Sequence, residues 1–182
     1  MCNHHLQPER RRLLLAGAAG LLLSACGAPS GDGGASKVLV PIEIDRGTSC
    51  SLDGMLLADY PGPKAQIHYR GAAQPEWFCD TIEMFNIYLN PEQARGVAAI
   101  YVQDMGKADW EQPVGNWIDA RSAFYVFGSK RLGSMGPTAA SFATEADANA
   151  FIGENGGKLV RFDEVQADMV VLDGGALHDQ SM

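Results

Sequence analysis

The chain has 182 residues and carries 22 acidic against 14 basic side chains, a net charge of −8. So acidic a balance leaves no basic patch to neutralise phosphate, which excludes nucleic acid as a partner. The length fits one ordinary domain, or two small ones sharing a core.

Residues 1–25 read as an export signal. Arg10, Arg11 and Arg12 precede an apolar run from Leu13 to Leu23, too short to span a bilayer as a helix. The run closes on Leu23-Ser24-Ala25-Cys26, with small residues where a lipoprotein peptidase cuts and Cys26 as the lipid-attachment site. The paired arginines also fit a twin-arginine signal loosely, so the export route is left open. Processing would leave 11 basic and 21 acidic side chains, a net of −10. A diacylated Cys26 with a further acyl chain meets the requirement of more than one chain for stable anchoring. Gly27 stands where inner-membrane lipoproteins carry a retention aspartate, which places the anchor in the outer membrane, facing the periplasm. Residues 26–37, rich in Gly, Ser and Pro, form a flexible tether.

The folded part begins near Val38. A first unit, 38–103, holds expected strands over Met55–Ala58 and Ala65–Tyr69 around a Pro61-Gly62-Pro63 turn. A helix then runs from Asp80 to about Asn90. Asp80 with Glu83 makes a capping-box pattern, and Ile82, Phe85 and Leu89 recur at helical spacing. Gly96–Gln103 is an apolar strand. Residues 104–121 connect to a second unit, 122–170, of similar order. It has strands at Ser122–Phe127 and Thr138–Phe142, then a helix from Thr144 to Asn155 stopped by Gly156-Gly157. A closing strand covers Lys158–Phe162. Residues 171–182 form a tail. The expected class is α+β, two ββαβ units in one small domain.

Two thiols survive processing, Cys50 and Cys79, because Cys2 leaves with the signal and Cys26 takes lipid. In an oxidising compartment they could pair, leaving a structural or interaction lipoprotein that binds no metal. The chain also places Cys50 five residues before Met55 across a Gly-containing turn. Thiolate and thioether are soft donors and select Cu(I). Structural zinc needs four Cys/His ligands, and Cys50, Cys79, His68 and His178 show no paired spacing. Met55 reads first as a core residue, the commoner role of a lone methionine in an apolar run. Met135 lies in a loop, Leu132–Pro137, with two glycines and a proline, where packing explains a methionine less well. Met169 falls in an apolar stretch read as a strand. His68 alternates along a strand and faces either a site or solvent. No Cys-x-x-Cys pair or Gly-x-Ser-x-Gly elbow is present, so the chain reads as a non-enzyme.

At these residues the chain resembles the NosL family of copper-binding lipoproteins that serve nitrous-oxide reductase. The resemblance rests on the lipobox at Cys26 and on Cys50-x-x-Asp53-Gly54-Met55. It extends through Trp77-Phe78-Cys79-Asp80, Ser134-Met135-Gly136 and the stretch from Gly156 to Val165. It implies a fold of two ββαβ units and a Cu(I) carrier that supplies the copper–sulfide cluster of the reductase. It also implies work beside a membrane ABC-type maturation complex. The ligands it carries over are Cys50 and Met135, with a histidine such as His68 as a third; on the residues alone, Met55 or Asp53 could complete the shell instead. Some relatives have a second cysteine where Asp53 stands.

Overall fold

The computed structural model describes residues 39–172 except 91 and 93. The signal segment, Cys26, the tether and His178 lie outside the described residues.

Strands β1 (Ala65–Tyr69) and β2 (Glu76–Phe78) pair antiparallel, helix α1 (Thr81–Leu89) follows, and β3 (Val97–Gln103) returns antiparallel along the other side of β1. Strand β4 (Trp117–Asp119) adds to β3, giving the order β2-β1-β3-β4. The second half begins with β5 (Phe124–Phe127) and a small hairpin of β6 (Leu132–Gly133) and β7 (Gly136–Pro137). Then come β8 (Ala140–Phe142), helix α2 (Glu145–Asn155) and β9 (Lys158–Arg161), in a sheet ordered β8-β5-β9. In each half the first strand is central and the other two flank it antiparallel. Both halves are therefore ββαβ units of one topology.

The strand membership of the first unit differs from the sequence expectation. Met55–Ala58 is not a strand. Leu56 makes only an isolated bridge to Ser49, and Leu57–Asp59 is a 3-10 turn. The sheet edge beside β1 is taken by β2, so no ladder is left for the earlier segment. The 104–121 segment contributes β4 to that sheet. Met169 ends a 3-10 turn, Ala167–Met169, and is exposed rather than strand-bound.

Helix α1 joins the two units. Its buried Met84 and Phe85 meet Ala65, Ile67, Ile100 and Val102 from the first sheet and Tyr125 and Val160 from the second. The Phe85 ring lies 4.9 Å from Tyr125 and 5.2 Å from Phe162, centroid to centroid, within the range favourable for aromatic pairs. The opposite face of the second sheet packs Val126, Ala140 and Phe142 against Ala148 of α2. The period-2 alternation of β1 sends Gln66 and His68 to the other face of the first sheet. There Gln66 Nε2 donates to Ile42 O, and its Oε1 accepts from Ile42 N, both at 2.9 Å.

Two glycines near the end of α2 should respond oppositely to alanine. A Cβ on Gly153 meets nothing within 4 Å, and removing chain entropy there should stabilise by about 0.5–1 kcal/mol. Gly157 has φ +105°, and a Cβ would sit 2.7 Å from Val126 Cγ1 and 2.8 Å from Phe127 O. Gly157→Ala should destabilise by about 1–3 kcal/mol. Urea unfolding of the two variants checks both signs.

Candidate metal centre

The site forms where a loop meets the start of α1. Residues 50–55 close a tight turn: Cys50 N donates to Met55 O at 2.8 Å and Gly54 N to Cys50 O at 3.0 Å. Asp53 Oδ1 accepts from Met55 N at 2.9 Å, and Gly54 takes φ +79°, so Asp-Gly is suited to this bend. The turn docks on the edge of β2 through Ser51 N to Trp77 O, 2.7 Å, and Trp77 N to Ser51 Oγ, 3.1 Å. Two residues beyond Trp77 stands Cys79, immediately before the N-cap Asp80. The docking thus carries Cys50 to Cys79.

Four donors converge there. One ligand atom each from Cys50, Asp53, Cys79 and Glu83 lies within 4.8 Å of every other. Both thiols are free. Cys50 Sγ donates to Glu83 Oε2 at 3.3 Å and Cys79 Sγ to the same oxygen at 3.2 Å. Asp53 Oδ2 lies 4.0 Å from Cys79 Sγ. Cys50, Cys79 and Glu83 are buried, while Asp53 is exposed and forms the solvent side. Leu57 and the partly buried Ile44, Met55 and Trp77 wall the thiols.

The electrostatics are in conflict. Burial raises Glu83 to about 8, and the adjacent Cys50 adds to the rise. Hydrogen bonding between the thiols drives them apart. It lowers Cys50 against the opposing effect of burial, and with burial and Glu83 it pushes Cys79 far up. Burial also lifts Asp80 to about 7, although Ile82 N and Thr138 Oγ1 donate to its Oδ1 at 2.9 and 2.8 Å. Its Oδ2 has no partner among the described residues.

Beneath the site is a fully buried lysine. Lys64 Nζ donates to Pro61 O at 2.8 Å, Cys79 O at 3.1 Å and Ser134 Oγ at 2.8 Å. Burial lowers it to about 8, opposed by Asp80 and the cluster, so it stays charged at neutral pH. Ser134 Oγ in turn donates to Cys79 O at 2.5 Å. These bonds fasten the β6–β7 hairpin to the backbone of Cys79. Gly133 is required at this contact, since a Cβ there would lie 2.2 Å from Asp80 Oδ2.

The fastened hairpin carries Met135, which is 43% exposed. Of the residues expected from sequence, Cys50 sits in the cluster, Met55 packs beside it, and Met135 is held on the hairpin tied to Cys79. His68 is not brought to the cluster. It is buried on β1, with Nε2 2.9 Å from Gln66 Oε1, and its ring meets Tyr101 edge-on. Cys79 and Glu83 were readable only as a disulfide partner and a capping residue. Their i, i+4 spacing at a helix start was the available signal. Lys64, next to Pro-Gly-Pro, gave none.

A protein-family model described as NosL matches residues 41–170. The copper-binding lipoprotein NosL of Stutzerimonas stutzeri is 40% identical over 149 residues, covering 79% of this chain and 77% of that protein. The copper-binding lipoprotein NosL of Achromobacter cycloclastes is 38% identical over 166 residues, covering 89% and 83%. The crystal structure of the copper chaperone NosL from Shewanella denitrificans superposes with a TM-score of 0.68 at 39% identity, covering 71% of this chain and 97% of that one.

The site generates two predictions. Asp80 and Glu83 have folded pKa values raised above the ordinary 3.8 and 4.5. Each therefore contributes stability that is fully present below its ordinary pKa and lost as pH rises through about 7 and 8. Cys50, lowered on folding, works the opposite way. The metal-free protein should thus have a higher urea midpoint at pH 5 than at pH 7, and Glu83→Gln should flatten that slope. Separately, Lys64→Met removes charged hydrogen bonds of about 1.5–3 kcal/mol each. Amide hydrogen exchange across residues 131–137 should then accelerate by at least about tenfold while β5 and β9 stay protected.

Proposed function

The chain belongs to the NosL family, and from that premise we propose that it is a lipid-anchored Cu(I) carrier. The observation that carries the reading is the convergence of two buried thiols, with an exposed methionine on the hairpin fastened to the Cys79 carbonyl. Cys50 supplies charge and affinity. Met135 supplies a thioether that does not compete with protons, and Met55 stands in reserve beside the thiols. A low-coordinate site on a loop leaves the metal open to an incoming ligand, which a carrier needs and a structural site avoids. The chain is a binding protein rather than an enzyme.

Its cargo is copper for the copper–sulfide cluster of nitrous-oxide reductase, handed on beside a membrane ABC-type maturation complex. Lipid on Cys26 and the 26–37 tether hold the domain at the periplasmic face of the outer membrane. The relatives' names, copper-binding lipoprotein and copper chaperone, support this reading.

Competition of the full chain against a chromophoric Cu(I) chelator under anaerobic conditions tests it. Cys50→Ser and Met135→Leu should each weaken binding, and His68→Gln should leave it unchanged. Affinity should fall as pH drops, because protons compete for the thiolate. Parental affinity in both Cys50→Ser and Met135→Leu refutes the reading. The rival is a Cys50–Cys79 disulfide scaffold, favoured only by the closeness of the two sulfurs. It would show as a pair that resists alkylation until reduced.

A further inference from the structure

We infer that Cys79 is a second thiolate ligand to the copper held by Cys50, so that the metal bridges the 50–55 loop and the start of α1. This deepens the carrier reading and rests on it.

The geometry carries the inference. The two sulfurs hydrogen-bond to one and the same carboxylate oxygen, so both point at a common place. They lie within 4.8 Å of each other, and one ion with metal–sulfur bonds of about 2.3 Å reaches across about 4.6 Å. The remaining donors of the cluster, Asp53 and Glu83, are hard oxygens that suit Cu(I) poorly. Their place is to shape the pocket, not to bind the metal. Cys79 is also firmly positioned: its carbonyl accepts from Lys64 Nζ and Ser134 Oγ, and Asp80 next to it caps α1.

The charge balances. Cu(I) with two thiols gives a Cu(I)–bis-thiolate of net charge −1 and two protons. Both S–H bonds break, two sulfur lone pairs form Cu–S bonds, and copper keeps its oxidation state. A buried anion needs a cation nearby. The Lys64 ammonium, anchored on the carbonyl of Cys79, supplies it. Met135 is then an outer, exchangeable third donor, which fits its exposure. A receiving protein displaces the thioether first and the thiolates afterwards.

Selenomethionine labelling separates the donor types without removing either thiol. In the labelled full-length protein loaded anaerobically with one equivalent of Cu(I), X-ray absorption at the copper edge sees cysteine as sulfur and methionine as selenium. Two sulfur neighbours, with or without selenium, are expected. One sulfur neighbour overturns the inference while leaving the carrier reading standing. Failure to load copper at all overturns both. As a second arm, Cys79→Ser should lower Cu(I) affinity by at least the 10–100-fold that losing even an outer-shell partner costs, roughly as Cys50→Ser does. Folding of each variant is checked by far-ultraviolet circular dichroism. Parental affinity in folded Cys79→Ser overturns it.

Discussion

A single buried ammonium ties this molecule together at the start of α1. Lys64 spends its donors on three acceptors from three parts of the chain: the Pro61 turn, the Cys79 carbonyl and the Ser134 hydroxyl. A lysine is almost never fully buried without such satisfaction, because stripping water from its charge costs several kcal/mol. The arrangement returns that cost as geometry. It fixes the residue before the helix, and through Ser134 it fixes a hairpin from the other ββαβ unit against the same carbonyl. Thr81 Oγ1 donating to Ala139 O at 2.6 Å and Thr138 Oγ1 donating to Asp80 Oδ1 add stitches across the same seam. The sulfur of Cys79 and the thioether of Met135 thus belong to elements that share one anchor.

The same region concentrates more ionisable groups than its low dielectric can comfortably hold. Glu83 accepts from two thiols on one oxygen, and Asp80 keeps a buried carboxylate oxygen without a partner. In the metal-free protein protons settle this conflict, which is why burial raises both carboxyls.

Much of the architecture was legible because it rests on local rules. Asp80 and Thr144 were readable as N-caps, and both side chains accept helix N–H groups, from Ile82 and Asp147. Gly156-Gly157 marked a helix end that needs positive φ. The alternation in β1 marked a strand. Short β2 was hidden, because three residues carry no periodicity and its pairing with β1 spans a turn. So was β4, whose ladder with β3 is a tertiary choice. The site was half legible. Soft donors pointed at Cys50, which lies in the cluster, but Glu83 looked like a capping residue, and nothing local announces that Lys64 is buried. Those roles exist only once the loop has docked on β2.

The two ββαβ units use equivalent helix starts differently. Each helix has an N-cap and an acidic residue three positions later: Asp80 with Glu83 in α1, Thr144 with Asp147 in α2. In the second unit the pair closes on itself. Thr144 Oγ1 donates to Asp147 Oδ2 at 2.6 Å and accepts from Asp147 N at 3.1 Å, a local arrangement at an exposed helix end. In the first unit the corresponding acid turns away from the cap and is buried against two sulfurs. The residue before the cap is Ala143 in one and Cys79 in the other. Equivalent positions thus serve local capping in the second unit and a donor cluster with a buried carboxyl in the first. The seam to the second unit ties that unit's hairpin to the backbone of Cys79 through Lys64 and Ser134. The two units therefore meet at the site: the first provides the thiols, and the second provides the hairpin bearing Met135 that is fastened to the Cys79 carbonyl.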